Sequence, residues 1–431
     1  MIPSSRKDRD LGMDFYITSS PGVGGALRTC PQDFIVDEVF SRQSYEGGRY
    51  LVLEVEKSNW DTHRLIRELA RALRISQKRI SVAGTKDKRA VTRQRMSIQG
   101  VEEEELDRVR LSDVGLKVLG RTNRPLGLGD LLGNRFEIVV RSLQPDPKEA
   151  AARLGRITAE IGELGGVPNY FGVQRFGDIR PVTHLVGEAL VRGDMELAVF
   201  RYLAMAFPDE PDATRSARQN LWESRDLEQA LRSFPQHLSF ELAMLNYLLV
   251  HPGDYSRAFS VLSPNLQRMF VHAYQSYIFN RILSRRLQRG LLWQPHVGDR
   301  VCYLSGELPD PRQTELVTEE TLPAVLRLAS RGRAFATLPL FGFQSELAEG
   351  LPGEIEREVI SSERVRAEDF QISENPALGS RGTRRTALLP VAPSWQMRGE
   401  DAALEFFLPA GSYATVVLRE YQKSESTTSG R

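Results

Sequence analysis

The stretch Ser81–Gln99, SVAGTKDKRAVTRQRMSIQ, carries the most informative charge pattern in the chain. An apolar strand pattern ends at Gly84 and runs into a loop that holds one carboxylate, Asp87, directly flanked by Lys86 and Lys88. Adjacent cations favour the ionised form of a carboxylate, so Asp87 is suited to act as a nucleophile or a base and hardly as a general acid. The same pattern also fits a charged β-turn in which the aspartate only caps the turn.

Positive charge is concentrated around this loop. Between Arg64 and Arg95 the sequence holds eleven Lys or Arg residues and two acidic residues. The whole chain carries a net charge of only +1, because acidic stretches elsewhere balance the excess. A basic stripe on a nearly neutral protein indicates a localised site for a polyanion. Its members are Arg64, Arg67, Arg71, Arg74, Lys78, Arg79, Lys86, Lys88, Arg89, Arg93 and Arg95.

The segment from residue 61 to residue 73 is predicted to be a helix. Leu65, Leu69 and Leu73 recur at helical spacing, and Asp61 stands where a helix cap is expected. The arginines of this segment repeat at spacings of three and four, which places them along a second face. That face is either part of the polyanion site or an ordinary solvated helix surface.

The order of predicted elements indicates an α+β protein with an inserted domain. Short β-rich runs dominate the first part, long helical patterns extend from about Pro181 to Gln288, and a strand and a final helix return near the C-terminus. The predicted strands are Phe34–Phe40, Tyr50–Glu56, Arg79–Ala83, Arg95–Gln99 and Arg135–Arg141, and later the run ALEFFLPAG, followed by the helical run SYATVVLREYQ.

Composition and missing motifs exclude several classes of protein. The 431 residues, 41% hydrophobic and 26% charged, fit a globular chain of two domains or of one domain with a large insertion. A long apolar run and a secretory signal are missing, so we expect a cytoplasmic protein without a membrane partner. Cys30 and Cys302 do not suggest a disulfide, and the scattered histidines predict no metal site. The glycine spacings match neither the Walker phosphate-loop motif nor the GxGxxG motif, which argues against nucleotide-dependent chemistry.

Two further segments combine aromatic and polar side chains. GGVPNYFGVQRFG, from Gly165 to Gly177, alternates aromatics with small and polar residues, as in sites that stack single-stranded nucleic acid. A glycine-rich turn whose aromatics fill a core explains the segment equally well. In GNRFEIVVR, Asn134 and Phe136 lie two residues apart on a predicted strand, so both project from one face.

Five segments, in this order, resemble the TruD family of tRNA pseudouridine synthases. They bracket most of the chain, which makes a coincidental match improbable, and a weaker similarity covers AYQSYIFNRILSRR. The five are RTCPQDFIVDEVF (28–40), AGTKDKRAVTRQ (83–94), LGNRFEIVVR (132–141), GVPNYFGVQRFG (166–177) and LPAGSYATVVLRE (408–420).

The resemblance implies a pseudouridine synthase catalytic domain with a mixed, largely antiparallel sheet, interrupted by a mainly helical domain particular to the family. We expect the catalytic domain at residues 13–180 and 385–424, the inserted domain at 181–384, and flexible termini at 1–12 and 425–431. The implied reaction is the conversion of a uridine in tRNA, best known at position thirteen, to pseudouridine without metal or organic cofactor. No required protein partner is predicted.

Residue by residue, the resemblance places the catalytic aspartate at Asp87. The carboxylate would either attack C1′ of the ribose or remove the 2′ proton, and both alternatives stay open. Arg28 stands where the family usually has a lysine; it keeps the positive charge and can orient the carboxylate, but it is a poor proton donor. Phe136 is expected to stack on the target base and Asn134 to hydrogen-bond nearby.

The remaining expected contacts are with RNA. They comprise the basic residues near Asp87 and the aromatic and polar residues of the glycine-rich segment, namely Arg64, Arg67, Arg71, Lys86, Lys88, Arg89, Gln94, Tyr170, Phe171, Gln174 and Arg175. A competing hypothesis is an RNA chaperone that keeps the fold and binds tRNA without chemistry.

Overall fold

The computed structural model describes residues 2–41, 45–372 and 375–423. The expected flexible C-terminus at 425–431 lies outside these residues. The helices are α1 (Arg6–Arg9), α2 (Thr62–Ala72), α3 (Pro147–Leu164), α4 (Thr183–Val191), α5 (Met195–Ala204), α6 (Asp212–Ser224), α7 (Leu227–Ser233), α8 (Ser239–Val250), α9 (Tyr255–Phe259), α10 (Pro264–Gln288), α11 (Leu322–Ala329), α12 (Gly350–Ser362) and α13 (Ala414–Gln422).

The strands include several of only two residues. They are β1 (Ile2–Pro3), β2 (Phe15–Tyr16), β3 (Phe34–Phe40), β4 (Tyr50–Ser58), β5 (Ile80–Val82), β6 (Val91–Gln99), β7 (Val114–Thr122), β8 (Leu131–Val140), β9 (Val167–Pro168), β10 (Arg300–Ser305), β11 (Leu308–Pro309), β12 (Glu315–Leu316), β13 (Ala334–Leu340), β14 (Thr383–Thr386), β15 (Leu388–Leu389), β16 (Ser394–Arg398) and β17 (Asp401–Pro409).

The chain divides into two compact units. The first contains Tyr16–Val167 and the C-terminal part of the chain from Leu389, and the second contains Pro3–Phe15 and Pro168–Leu388. The first unit is thus discontinuous in sequence. Its upstream junction falls thirteen residues before the expected boundary at 180, because the segment after Val167 bonds within the second unit: the Asn280 side chain accepts a hydrogen bond from the Phe171 amide at 2.8 Å.

An eight-stranded sheet forms the centre of the first unit. Its order is β16-β17-β8-β3-β6-β4-β7, with β5 paired to β6. Every pairing is antiparallel except that of β3 with β6, which is parallel. The expected mixed, largely antiparallel sheet is therefore confirmed.

Helix α2 covers one part of this sheet. Asp61 caps it by accepting a hydrogen bond from the Arg64 amide at 2.9 Å, and Leu65 and Leu69 are completely buried. These leucines pack with alternate residues of β4, including Leu53. The apolar residues of the helix recur every three or four positions and those of the strand every second position, so each element presents one apolar face to the other. The predicted helix and its cap are confirmed.

The second unit is mainly helical but also contains its own antiparallel sheet. Strands β10, β13 and β14 run side by side, with β11 and β12 paired to β10. The long helix α10 is buried over most of its length, and its buried residues include polar ones such as Gln275 and Asn280. The small sheet was not predicted from the sequence.

Residues 4–12, expected to be flexible, are ordered in the second unit. Ser5 caps helix α1 by accepting a hydrogen bond from the Asp8 amide at 3.2 Å. Leu11 and Met13 are buried, and the Leu11 carbonyl accepts a hydrogen bond from the Asn280 amide group at 3.0 Å. The expectation was wrong because Leu11, an apolar residue in this polar segment, is buried and bonds to a residue far along the chain.

Candidate active site

Asp87 lies at the surface of the first unit, in the loop between β5 and β6. Half of its side chain is exposed (50%), and its Oδ2 atom is 2.6 Å from Nη2 of Arg28. Two segments that are 59 residues apart in sequence thus meet in one ion pair. A reactive carboxylate needs both access to a substrate and a fixed orientation, and this arrangement provides both.

Arg28 is held in place by a ring and by an unusual backbone. Its guanidinium carbon lies 4.2 Å from the ring centroid of Phe34, a cation–π contact that leaves the charge directed towards Asp87. Its φ angle is 57°, in the left-handed region that side chains other than glycine seldom adopt. Such outliers persist where surrounding contacts determine them, and they are common at functional sites.

The turn that leads from Arg28 to β3 is anchored by Asp33. This carboxylate is completely buried and accepts hydrogen bonds from the Cys30 amide at 3.0 Å and from Nε of Arg141 at 2.8 Å. Burial raises the pKa of Asp33, but these hydrogen bonds outweigh it and leave the pKa below the ordinary value. The anchored turn places Phe34 at the start of β3, under the arginine.

Lys86 points into the protein. Its Nζ atom lies 2.5 Å from Oε1 of Glu38, and both side chains are buried. The expected contact of Lys86 with the RNA backbone is therefore not available to this conformation, because its charge is already paired inside. The second carboxylate oxygen of Glu38 accepts a hydrogen bond from the Arg95 amide at 2.8 Å. Lys86 thus fastens the Asp87 loop to β3.

Asn134 lies on β8, on the same face of the sheet as Glu38. The two residues are paired across β3 and β8, and the Asn134 Oδ1 atom is buried without a hydrogen-bond partner among the described residues. A buried amide oxygen without a partner loses free energy unless a ligand or water supplies a donor. The oxygen of Asn134 is thus a buried hydrogen-bond acceptor that no described residue uses.

Phe136 is a core residue of the same face. Its ring centroid lies 6.1 Å from that of Phe34 and 5.5 Å from that of Phe406, and only 7% of the residue is exposed. We expected this ring to stack on the target base, but Phe34 and Phe406 cover the Phe136 ring in this structure. Its evident role is to support Phe34, which in turn carries Arg28.

Gln94 is buried in the sheet next to the same loop. Only 1% of the residue is exposed, and its Oε1 atom lies 3.5 Å from the Thr62 hydroxyl. Its Nε2 atom has no hydrogen-bond partner within the described ranges. This burial corrects the expectation of a surface contact with RNA, since Gln94 occupies an inward position of β6.

The expected RNA contacts of the glycine-rich segment belong to the second unit. Tyr170 is completely buried, with its hydroxyl 2.8 Å from the Ser284 hydroxyl, and Phe171 is also buried. Both rings serve the core in this structure, so the core alternative describes them correctly. Their bulk fills the space beside α10.

Two polar members of that segment reach the surface. Gln174 is exposed, and Arg175 is partly exposed, with its Nε donating to the Ser276 hydroxyl at 3.1 Å. The Arg175 guanidinium also lies 5.8 Å from the ring centroid of Phe171. These two side chains remain accessible to RNA.

Only part of the basic stripe forms an exposed surface, on α2 and in the Asp87 loop. Arg64, Arg67 and Arg71 are exposed, and so are Lys88 and Arg89 in the Asp87 loop. An open groove of about 750 Å³ is lined by Arg67, Glu68, Ala70, Arg71, Ile75, Ser76, Gln77 and Lys78. Three of these lining residues are cations and one is an acid, so the groove favours an anionic ligand.

Sequence reasoning missed Lys57, a buried lysine whose Nζ donates to the Asp87 carbonyl at 3.1 Å. The signal was present in LVLEVEK, where alternate positions Leu53 and Val55 face the core and Lys57 continues the same face. A lysine at an inward strand position calls for an explanation, because lysine is rarely fully buried.

The fold and the ion-paired carboxylate beside a basic surface are those expected of a pseudouridine synthase. A model of the family "tRNA pseudouridine synthase D (TruD)" matches residues 10–421. A protein of Methanosarcina acetivorans named "Probable tRNA pseudouridine synthase D" is 50% identical over 96% of each chain. A protein of the same name from Halobacterium salinarum is 42% identical over 96% of this chain and 97% of its own.

A solved structure agrees with these sequence matches. The crystal structure of the "Putative tRNA pseudouridine synthase D (TruD)" from Methanosarcina mazei superposes with a TM-score of 0.86 at 48% identity, covering 98% of both chains. This chain belongs to the tRNA pseudouridine synthase D family. Across the described residues, the helices are too short or too polar to span a bilayer.

Proposed function

We propose that this protein converts a uridine of tRNA, the one at position thirteen, to pseudouridine in the cytoplasm, with Asp87 as the catalytic carboxylate. The observation that carries the proposal is the exposed Asp87 carboxylate held 2.6 Å from Arg28. The family membership supports tRNA as the substrate. No cofactor or protein partner is part of the proposal.

The reaction is an isomerisation in which every atom is retained. The C1′–N1 bond of the nucleotide breaks, the uracil turns, and a C1′–C5 bond forms; the proton on C5 leaves and N1 gains a proton. Asp87 would act as an ionised carboxylate, either on C1′ or on the 2′ proton. Arg28 orients the carboxylate through a charge-assisted hydrogen bond, which is stronger than one between neutral groups.

A uridine inside folded tRNA must leave its stack to reach Asp87. This step costs roughly a few kcal/mol, which contacts to the extruded nucleotide can offset. The unpartnered oxygen of Asn134 is buried, so such a nucleotide can bond to it only after the neighbouring side chains move. The exposed arginines of α2 can bind the RNA backbone on the same unit.

The decisive test is the formation of pseudouridine in an unmodified tRNA transcript by wild type and Asp87→Ala. We expect wild type to modify position thirteen, and the variant to form no product while binding tRNA with nearly the same affinity. Asp107→Ala, which removes another exposed aspartate of this unit, is the matched control and should retain full turnover.

The contrary results are distinct. Product from Asp87→Ala would remove the role assigned to that carboxylate. Product in a transcript with cytidine at position thirteen would show that another uridine is the target. Binding of tRNA by wild type without any product would favour the RNA chaperone instead.

A further inference from the structure

Lys57 is a charged side chain with no surface exposure at all. It stands near the end of β4, paired with Thr92 of β6 and with Val114 of β7, so strands enclose it on both sides. Removing an ammonium group from water is costly, and replacing such a group by an apolar side chain often stabilises a protein. A fully buried lysine in this position therefore requires a compensating function.

The contacts of the ammonium group point to the Asp87 loop. Nζ of Lys57 donates to the Trp60 carbonyl at 2.6 Å and to the Asp87 carbonyl at 3.1 Å. The first acceptor belongs to the turn that follows β4, and the second belongs to the residue that carries the reactive carboxylate. One buried cation thus joins the main chains of two loops.

Neighbouring hydrogen bonds reinforce this connection. The Lys86 amide donates to the Thr62 hydroxyl at 3.0 Å, and the Asn59 amide donates to the Ala90 carbonyl at 3.3 Å. The segment from residue 57 to residue 62 therefore supports the loop at residues 86, 87 and 90. Among these three points, only the bond from Lys57 acts on Asp87 itself.

The charge of Lys57 has a second effect. The pKa of Lys57 is lowered to about 8, mainly by burial; the carboxylates of Asp61 and Asp87 oppose this decrease and the ammonium of Lys86 adds to it. The ammonium of Lys57 therefore lies close enough to the Asp87 carboxylate for the two charges to attract each other.

We propose that Lys57 is a positioning residue for Asp87, which holds the main chain of the loop from beneath so that the carboxylate meets Arg28 and the substrate. This inference rests on the proposed function of Asp87. Lys57 has no route to the substrate itself, since its side chain is enclosed. Its effect is on the geometry of the carboxylate and hence on turnover.

The test compares Lys57→Met, which keeps the length and removes the donors, with Lys57→Gln, which keeps two N–H donors without charge. We expect Lys57→Met to lower kcat about 10- to 100-fold, the range caused by a displacement of reacting groups on the order of 1 Å. KM for tRNA should stay within about twofold, because the RNA-binding surface is unchanged. Lys57→Gln should recover part of the lost kcat.

A matched control is Lys117→Met on the adjacent strand β7. The Lys117 side chain is exposed and lies 3.9 Å from Glu54, so its loss should leave kcat unchanged. Urea unfolding of all variants provides the second measurement. A purely structural role would not lower kcat in a Lys57→Met protein that is as stable as wild type. If the methionine variant does not fold, the kcat of Lys57→Gln alone tests the inference.

The outcomes separate this inference from the proposed function. If wild type forms no pseudouridine, or forms it without Asp87, the proposed function fails and this inference fails with it. If wild type depends on Asp87 but the folded fraction of Lys57→Met turns over at the wild-type rate, only the role of Lys57 is overturned. A glutamine variant no better than the methionine variant would also overturn it.

Discussion

Arg28 adopts a backbone conformation that is unfavourable for residues other than glycine. The contacts of its side chain explain why this conformation is kept. A residue with a Cβ atom in the left-handed region is destabilised by roughly 1–2 kcal/mol. The ion pair with Asp87 and the cation–π contact with Phe34 both require the guanidinium to project from this turn. The free energy released by these contacts offsets the backbone strain, so the geometry of the pair is determined by the fold rather than by chance approach of two surface charges.

Phe136 provides a prediction at the scale of one residue. We expect Phe136→Ala to lower the free energy of unfolding by about 3–5 kcal/mol, because truncating a buried ring leaves a cavity. The effect should spread to the site, since Phe136 supports Phe34. Urea unfolding followed by circular dichroism measures it.

The neighbouring Phe407 is the matched control for that change. It lies on β17 next to Phe406, projects to the other face and is 39% exposed. Phe407→Ala should change the free energy of unfolding by less than about 1 kcal/mol. Equal losses in both variants would contradict the assignment of Phe136 to the core.

The sequence predicted that Arg28 lies beside Asp87, but it did not predict where several neighbouring side chains point. Arg28 pairs with Asp87 as the resemblance implied, although the two residues lie on separate segments of the chain. The loop between β5 and β6 is irregular, so no period indicates that Lys86 turns inward to Glu38. Gln94 belongs to a strand, where alternation with the buried Met96 was the available signal.

Helix α2 gives the prediction at the scale of an element. If its exposed face binds the RNA backbone, charge reversal in Arg67→Glu with Arg71→Glu should weaken tRNA binding and flatten its salt dependence. Each lost phosphate contact lowers the slope of log K against log salt by about 1, so the double variant should lose about 2. Binding measured from low to moderate salt provides the slope.

A matched pair of arginines controls for net charge. Arg331 and Arg333 are exposed on the second unit, and reversing both alters the total charge by the same amount. That variant should keep the wild-type slope. An unchanged slope in the α2 variant would mean that these arginines form an ordinary solvated helix face, the alternative that their spacing also allowed.

The sequence predicted the secondary-structure elements wherever the periodicity of apolar residues was strong. Strand β3 has the bounds that its apolar pattern predicts, and the helix at α2 agrees within one residue at each end. Strand β7 was missed because Gly115 and Gly120 dilute its β-forming residues and it lies at an edge of the sheet. The small sheet of the second unit was missed because its longest strands are separated by loops and a helix in the chain.

At the scale of the whole molecule, the insertion follows from sequence but its junctions do not. A change from strand to helix patterns locates an inserted domain only to within its connecting segments. The assignment of Pro3–Phe15 to the second unit depends on contacts such as that between Leu11 and Asn280, which are 269 residues apart. No local pattern encodes a contact over that distance.

The pH dependence of protein stability should include a contribution from His184, a buried histidine of α4 in the second unit. Its ring packs 5.2 Å from Phe176 and 5.0 Å from Tyr277, measured between centroids. Burial, together with a smaller effect of the Arg201 charge, lowers its pKa from 6.5 to about 3. The unfolded chain therefore binds one more proton than the folded chain between about pH 3 and pH 6.5.

It follows that the contribution of neutral His184 to stability is complete above pH 6.5 and is lost as the pH falls. At pH 5 the loss is about 2 kcal/mol, at about 1.4 kcal/mol for each pH unit. His184→Phe cannot take up a proton, so its free energy of unfolding should fall less between pH 8 and pH 5 than that of wild type. Urea unfolding at both pH values gives the difference, and the value at pH 8 subtracts the effect of packing a larger ring. The same decrease in both proteins would mean that His184 is protonated in the fold, and that its place between two aromatic rings does not exclude the charge.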